Sequence, residues 1–329
     1  MIILAVDGDS VFRRNWEAPG GSTGSAALNR TVAAIERESN GYNRTVVAWD
    51  NRGPSFRAAR CSWYKASRID PGAACREWAT RTMTELANRG YVNIVAPTVT
   101  VDGFTGAAEA DDVIAWVAAE YSCLAHDGWH LRIMSSDGDL EALVSAALRI
   151  DQLKSWGTPR VILTEKMIVE KRGVEPKQIP ELKALMGDEG EVRGFLGIGG
   201  KCAAMLVRTF DTALDAVARA PDDQSIEPKF LNAAQRAVLR EHGAERALEG
   251  LWLATLRPNL PLDFGVVTEG KSTSPIEPDE SYPLEPETPE QFEAPSNVAL
   301  YADAPPWAKD LNLKLDTILR LLQGARISQ

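Results

Sequence analysis

The sequence has no long apolar run, no cysteine pair with metal-ligand spacing and no excess of positive charge. No stretch reaches the ~18 apolar residues that a membrane span needs, so we expect no membrane partner. The N-terminal MIILAVDGDS has neither the basic segment nor the long apolar segment of a secretory signal. These absences predict a cytoplasmic protein.

Cysteine and histidine are too sparsely placed to indicate a soft-metal site. The four cysteines are scattered: Cys61, Cys75, Cys123 and Cys202. This spacing predicts reduced thiols, without disulfides or a zinc site. His126 and His130 are four residues apart, but Asp127-Gly128 between them indicates a turn, which disfavours a shared metal ion.

The net charge of −10 disfavours a protein that binds nucleic acid through its overall charge. The charge is uneven, however, because nine acids and one base lie between Glu269 and Asp303. That stretch carries −8, which leaves the rest of the chain near neutrality. Local basic patches are enough for contact with DNA phosphates, so the overall charge does not exclude such a contact.

Three short apolar runs each lead into an aspartate. The runs are 2–6, 45–49 and 131–134, and the aspartates after them are Asp7, Asp50 and Asp137. Helical patterns lie between the runs, at about 26–38, 74–89, 109–122 and 139–147. Alternating strands and helices predict an α/β domain with a mainly parallel sheet. Ligands of open α/β sheets bind at the carboxyl ends of the strands, where these aspartates lie.

From about residue 176 the pattern becomes entirely helical. The short helical segments are 178–187, 201–209, 211–219, 229–240 and 244–256. Residues 265–306 are rich in proline and glutamate, which predicts a disordered linker. Helical spacing returns at Leu311, Leu315, Ile318 and Leu322. This terminal amphipathic helix is expected either to bind a protein partner or a second copy of the chain, or to fold back on the core.

Acidic residues recur in five short regions. These are Asp7, Asp50, Glu109-Ala-Asp111-Asp112, Asp137-Gly-Asp139 and Asp188-Glu-Gly-Glu191. Carboxylates that meet in one pocket repel each other, and protonation or bound cations relieve the repulsion. Mg²⁺ and Mn²⁺ prefer such ligands, and two ions can together activate water and stabilise the leaving oxygen of a phosphodiester. The alternative is that each acid only caps a helix or a turn.

Six motifs occur together in one order. They are VDGDS (6–10), FRAARCSWYKASR (56–68), EADDVI (109–114), SSDGDL (135–140), LKALMGDEGE (182–191) and GFLGIGGK (194–201). With this set the chain resembles the 5′-nucleases, which include the N-terminal domain of bacterial DNA polymerase I, phage 5′→3′ exonucleases and flap endonucleases. The resemblance covers about residues 1–260.

The resemblance implies a PIN-like catalytic domain at 1–175, a helix–hairpin–helix subdomain at 176–264, and a linker with a terminal helix at 265–329. It also implies a stand-alone enzyme of the phage or bacterial type, since no polymerase domain follows. The implied reaction is hydrolysis of DNA phosphodiesters near 5′ ends, flaps or branches, in replication or repair.

Roles for individual residues follow from the same resemblance. The first divalent ion, Mg²⁺ or Mn²⁺, would be held by Asp7, Asp50, Glu109, Asp111 and Asp137. A second ion would be held by Asp112, Asp139, Asp188 and Glu191. Lys65 and Arg68, beside Tyr64, would contact the scissile phosphate and the 5′ phosphate region. Gly197, Gly199, Gly200 and Lys201 would bind a duplex phosphate, and K⁺ is expected at this hairpin.

The sequence departs from the family pattern at two places. The family motif G-D-x-x-D-N-I-P-G is here G-D-E-G-E-V-R-G, with one residue fewer and Glu191 in place of aspartate. The second ion site is therefore less secure than the first. Residues 69–80 predict only a short arch over the site.

Two other functions are compatible with parts of the sequence. Asp7-Gly-Asp9-Ser10 imitates the opening motif of haloacid-dehalogenase-type phosphatases, with Asp7 as nucleophile. That hypothesis leaves EADDVI, SWYKASR and GIGGK unexplained. A structure-selective DNA-binding protein whose altered GDEGE loop has lost activity is the second alternative. Turnover of a small phosphate ester tests the first, and Mg²⁺-dependent cleavage of a 5′ flap tests the second.

Overall fold

A computed structural model describes residues 2–20, 23–122, 130–157 and 159–259, together with the backbone of 266–267. The predicted linker and terminal helix lie outside these residues. Within these ranges, no helix combines the length and apolarity needed for a membrane crossing.

A mainly parallel sheet forms the centre of the N-terminal part. In chain order its strands are β1 (Ile2–Asp7), β2 (Arg44–Trp49), β3 (Val92–Val95), β6 (His130–Met134), β7 (Ile150–Ser155), β8 (Val161–Leu163) and β9 (Val266–Val267). The spatial order is β8-β7-β6-β1-β2-β3-β9. The five inner strands are parallel to one another, whereas β8 and β9 pair antiparallel at the two edges. The predicted fold class is therefore confirmed.

Helices cover both faces of this sheet because the inner strands are apolar on both sides. The N-terminal helices are α1 (Gly8–Glu17), α2 (Ser25–Ser39), α3 (Phe56–Arg60), α4 (Gly72–Asn88), α5 (Ala110–Ser122) and α6 (Glu165–Arg172). Leu4 and Val6 of β1 pack with α1, α2 and α4 on one face. Ala5 packs with α5 on the opposite face, as the alternation of side chains along a strand requires. A separate hairpin consists of β4 (Thr98–Val101) and β5 (Phe104–Ala107).

The strand register brings the aspartates to one edge. Asp7 is paired with Ala48 of β2, and Val6 is paired with Met134 of β6. Strands β1, β2 and β6 therefore end at nearly the same level. Asp50 and the segment Ser135–Asp137 follow these ends directly, so they lie beside Asp7.

The C-terminal part is helical, as predicted. After a 3₁₀ turn at Pro176–Gln178 come α7 (Ile179–Met186), α8 (Gly200–Phe210), α9 (Ala213–Arg219) and α10 (Ala233–Ala254). They share one apolar core that includes Leu185, Phe195 and Leu206. Two helices were predicted at 229–240 and 244–256, and α10 is indeed two helical segments that meet at a kink at Gly243, whose φ of 49° and ψ of −153° are not helical. The boundary at residue 175 stays a prediction.

A buried ion pair links the two parts. The Arg57 side chain donates two hydrogen bonds to Asp112, at 2.7 and 2.8 Å, and further bonds to the carbonyls of Leu253 and Thr255 at the end of α10. Both charged side chains are almost completely buried. Removing either partner of such a pair leaves an uncompensated buried charge. Arg57 therefore holds the end of α10 against the first turn of α5.

Glu141 forms a second buried ionic cluster, in the 3₁₀ helix Asp139–Leu143. Its fully buried carboxylate accepts hydrogen bonds from Lys154, Lys171 and Arg172 at 2.7 to 3.1 Å. Burial by itself would raise the pKa of Glu141, but the hydrogen bonds and charges of Arg172, Lys171 and Lys154 lower it to about 2 from an ordinary value of 4.5.

We expect Glu141→Gln to lower the free energy of unfolding by about 3 kcal/mol at pH 7. Because the folded-state pKa is depressed, this stabilisation is present above pH 4.5 and is lost as the pH falls towards 2. Urea unfolding at pH 7 and at pH 3 measures the difference. The control is Glu170→Gln, an exposed glutamate on α6, which should stay within about 0.5 kcal/mol of the unaltered chain. An equal loss at both pH values would contradict the assigned cause.

Candidate metal and phosphate site

Asp7 lies at the end of β1, where the strand turns directly into α1. Its Oδ1 caps α1 by accepting a hydrogen bond from the Ser10 amide at 2.9 Å. Its Oδ2 accepts a hydrogen bond from the Ser135 hydroxyl, at the end of β6, at 2.7 Å. Burial, assisted by the nearby charges of Asp50 and Asp137, raises the pKa of Asp7 to about 7, although the hydrogen bonds from Ser10 and Ser135 lower it. The Asp7 carboxylate is therefore fixed in place but only partly compensated.

Asp50 follows β2 and is tied to two neighbouring elements. Its Oδ1 accepts a hydrogen bond from the amide of Ala110 in the first turn of α5, at 2.8 Å. Its own amide donates to Asp9 Oδ2 at 2.6 Å. Burial of the carboxylate and the charge of Glu109 raise the pKa of Asp50.

Asp9 is a site residue that the sequence analysis did not include. It lies in the first turn of α1, and burial together with the charge of Asp50 raises its pKa to about 8. The signal for it was the second acid of the VDGDS motif, which a strand-to-helix turn places on the same side as Asp7. From sequence, Asp9 was assigned only to the phosphatase-type opening motif.

Asp111 and Asp137 complete the acids at the carboxyl edge of the sheet, which are called the strand-end acids below although Asp9 and Asp111 lie in the first turns of helices. Asp111 lies in the first turn of α5. Burial and the charges of Asp7, Asp137 and Asp139 raise its pKa well above the ordinary value. Asp137 follows β6, and its Oδ1 accepts a hydrogen bond from the amide of Asp139 at 2.9 Å.

These acids line one cleft of about 520 Å³ at the carboxyl edge of the sheet. Its wall contains the strand-end acids Asp7, Asp9, Asp50, Asp111 and Asp137. Four basic side chains line the same cleft: Arg13 and Arg14 from α1, and Lys65 and Arg68 from the turn after α3. Carboxylates that raise one another's pKa thus face the same space as bases that can bind an anion.

Lys65 is held in the cleft by Glu109. The Lys65 ammonium donates to Glu109 Oε2 at 2.8 Å, and the Tyr64 hydroxyl donates to the same oxygen at 3.1 Å. Lys65 has a φ of 55°, and its amide donates to the carbonyl of Gly190. Burial alone would raise the pKa of Glu109, but Lys65 and Arg57 outweigh it and lower the pKa. Glu109 is therefore a carboxylate already paired with Lys65, and it orients the Lys65 ammonium in the cleft.

The acids predicted for a second ion are arranged differently. Asp139 and Asp188 are both ion-paired with Lys183 of α7. Glu191 is ion-paired with Arg68. Asp112 is buried against Arg57, away from the cleft. The structure therefore does not bring these four acids together as an open group.

The side chains that line the cleft fit one mode of divalent-ion binding. Among the described residues, no group of three or more histidine, cysteine, aspartate or glutamate side chains is arranged to hold a metal ion directly. Mg²⁺ usually takes one or two carboxylates and keeps several waters. The strand-end acids fit this mode of binding, because they supply only oxygen ligands around a cleft wide enough for water.

The helical hairpin presents backbone and charge at the surface. Gly197, Gly199, Gly200 and Lys201 are all exposed at the start of α8. The N-cap residue of α8 is Gly199, which makes no side-chain capping hydrogen bond to the first amides of the helix. The Gly197 carbonyl accepts a hydrogen bond from Gln235 of α10 at 2.8 Å, which fixes the hairpin against that helix. Leu196 in the same hairpin is 81% exposed.

Comparison with known proteins decides the family. The family model described as 5′-3′ exonuclease, N-terminal resolvase-like domain matches residues 2–174. The chain belongs to this family. The resemblance inferred from the motifs is therefore confirmed.

Relatives in the family include proteins of similar and of much greater length. DNA polymerase I of Thermus thermophilus is 30% identical over 278 residues, which are 80% of this chain and 30% of that protein. The flap endonuclease Xni of Shewanella frigidimarina is 28% identical over 271 residues, which are 80% of this chain and 95% of that protein. This chain thus spans less than a third of the DNA polymerase I relatives that it matches.

A solved structure shares the fold. The T5 5′-exonuclease with bound zinc ions has a TM-score of 0.59 and 23% sequence identity to this chain. The match covers 78% of this chain and 90% of the T5 protein. The likeness confirms the predicted PIN-like fold class of the family.

Proposed function

We propose that this chain is a divalent-metal-dependent, structure-selective 5′ nuclease that hydrolyses DNA phosphodiesters near 5′ ends, flaps or branches. The observation that carries the proposal is the meeting of Asp7, Asp50, Asp111 and Asp137 in one cleft, although they come from four separate parts of the chain. The names of its relatives, which include 5′-3′ exonuclease and flap endonuclease, support the same reaction.

The strand-end acids are the proposed ligands of Mg²⁺ or Mn²⁺. A bound ion would polarise the phosphodiester and lower the pKa of a water molecule, which are the chemical steps that hydrolysis needs. Asp7 and Asp50 are fixed by hydrogen bonds from Ser10, Ser135 and Ala110, so they are positioned before any ligand arrives. The Asp111 side chain has no such partner in the described hydrogen bonds, and burial together with the charges of Asp7, Asp137 and Asp139 raises its pKa.

The basic side chains of the cleft are the proposed contacts to the substrate phosphate. Lys65 and Arg68 line the same cleft as the acids, and the raised pKa of Lys65 keeps it cationic. A fixed positive charge beside the reacting phosphate stabilises the negative charge that develops in the transition state. Arg13 and Arg14 extend this basic surface along α1.

The hairpin before α8 is the proposed contact to duplex DNA. Its exposed glycines and Lys201 allow a phosphate to approach the amides at the start of the helix. Such contacts carry no sequence information, so binding would follow the shape of the duplex and weaken with salt. A K⁺ ion bound by carbonyls of the same hairpin is part of this proposal.

The test is cleavage of a labelled 5′-flap duplex with Mg²⁺ and with EDTA. We expect products carrying a 5′ phosphate only in the presence of Mg²⁺, together with retained binding of the flap duplex in EDTA. Matched nicked and single-stranded substrates measure the preference for structure. Binding without cleavage in Mg²⁺ and in Mn²⁺ would instead support a DNA-binding protein without activity. Turnover of a small phosphate ester would support the phosphatase hypothesis, which family membership disfavours.

A further inference from the structure

Lys183 lies between two of the acids that were expected to bind a second ion. Its ammonium donates hydrogen bonds to Asp139, in the 3₁₀ helix after β6, and forms an ion pair with Asp188, in the loop after α7. The Lys183 and Asp139 side chains are 12% and 17% exposed. The contact with Asp139 is charge-assisted and shielded from solvent, which makes it stronger than a surface ion pair, whereas the Asp188 side chain is 40% exposed and its contact is only partly shielded.

The backbone around Lys183 fixes this arrangement. Its neighbours Leu182 and Ala184 on α7 are buried in the core of the helical part. Asp188 is held in a tight turn, because its amide donates to the carbonyl of Val192 at 2.8 Å and its carbonyl accepts from the Val192 amide at 2.9 Å. The ammonium is therefore tethered to a rigid helix and faces two acids whose positions are also fixed.

The contrast with the strand-end acids is clear. Within the described part of the chain, Asp7, Asp9, Asp50, Asp111 and Asp137 form no ion pair with a lysine, arginine or histidine within 4.0 Å. The acids of the other group are paired with bases of the protein itself: Asp139 and Asp188 with Lys183, Glu191 with Arg68, and Asp112 with Arg57. The strand-end acids therefore call for an external cation, whereas the other four acids, like Glu109 with Lys65, are already paired with bases of the protein.

We infer that Lys183 takes the place of a second divalent ion, so that this chain binds one divalent ion, at the strand-end acids. The inference rests on the proposed metal-dependent function and specifies its stoichiometry. A second ion could bind at Asp139 and Asp188 only by displacing the Lys183 ammonium from both. The displaced charge would then remain close to the incoming ion and repel it.

The experiment counts the ions bound by the full-length chain. Mn²⁺ is titrated into metal-free protein, and free Mn²⁺ is followed by its electron paramagnetic resonance signal. We expect one site with a Kd below about 1 mM in the unaltered chain. In Lys183→Met, which keeps the length of the side chain but removes its charge, we expect a second site. The double variant K183M/D139N should return to one site.

Two further variants separate the possible outcomes. Lys171→Met is the matched control, because Lys171 pairs with Glu141 and not with Asp139 or Asp188, and it should leave one site. Asp139→Asn should also leave one site if Lys183 replaces the ion, whereas it should remove an ion if Asp139 binds one. The number of ions bound by Asp139→Asn therefore tests whether Lys183 replaces the second ion even if Lys183→Met does not fold.

The number of bound Mn²⁺ ions tests both the inference about Lys183 and the proposed function. Two ions of similar affinity in the unaltered chain would overturn the inference and leave the proposed function intact. One ion in both the unaltered chain and folded Lys183→Met would also overturn it, because the acids would then not form a latent site. No bound Mn²⁺ in the unaltered chain would overturn the proposed function itself.

Discussion

Replacing Asp111 by asparagine is expected to lower the rate of flap cleavage by on the order of 10³-fold, because it removes a charged ligand of the ion at the reacting phosphate. Asp111 lies in the first turn of α5 and lines the cleft with Asp7, Asp50 and Asp137. Asparagine has nearly the same shape, and its neutral side chain relieves repulsion from Asp7 and Asp137. The fold should therefore be kept, and binding of the flap duplex in EDTA should be unchanged or tighter.

The measurements are single-turnover cleavage at saturating Mg²⁺, Mn²⁺ stoichiometry and DNA affinity in EDTA. The matched control is Asp222→Asn, in which the side chain is 80% exposed and forms an ion pair with Arg240 at the surface. This control should cleave at the rate of the unaltered chain. A near-normal rate in Asp111→Asn would remove Asp111 from the site, and a parallel loss of DNA affinity would indicate a role in binding instead of chemistry.

The strands of the sheet could be predicted from sequence only where burial on both faces gives a continuous apolar run. Strands β1, β2 and β6 are buried on both faces, and their apolar runs predicted them together with the aspartates at their ends. Strand β7 contains Asp151, Gln152 and Lys154, and side-chain contacts satisfy these polar groups only in the folded chain. The hairpin β4–β5 was not predicted either, because each of its strands has only four residues.

The site, too, could be predicted only in part from sequence. Asp7, Asp50 and Asp137 follow from their positions at parallel strand ends, and the register of β1 with β2 and β6 brings them together. Asp111 in α5 was assigned only through the family resemblance, and Asp9 in α1 was missed. The partners of the other acids do not follow from spacing. Lys183 precedes Asp188 by five residues but is 44 residues from Asp139, and only the packing of α7 brings the three together. Arg57 reaches Asp112 across 55 residues for the same reason.

Replacing Lys65 by methionine is expected to lower the cleavage rate by about 10²- to 10³-fold at saturating metal, because a fixed charge beside the developing phosphate charge is lost. Glu109 and the turn after α3 hold this ammonium in the cleft, so its position is set before substrate binds. Although burial opposes the charge, Glu109 and Glu191 raise the pKa of Lys65 well above its ordinary value. Lys65 thus stays cationic, and the loss in rate should be the same from pH 6 to pH 9.

The double variant K65M/E109Q distinguishes a phosphate contact from a purely structural pair. If Lys65 only neutralises Glu109, removing both charges should restore most of the rate, since Tyr64 can still donate a hydrogen bond to the amide oxygen. If Lys65 acts on the phosphate, the double variant should remain as slow as Lys65→Met. Lys65→Arg retains the charge but changes the geometry, so we expect it to fall between the two. A restored rate in the double variant would therefore reduce Lys65 from a substrate contact to a partner of Glu109.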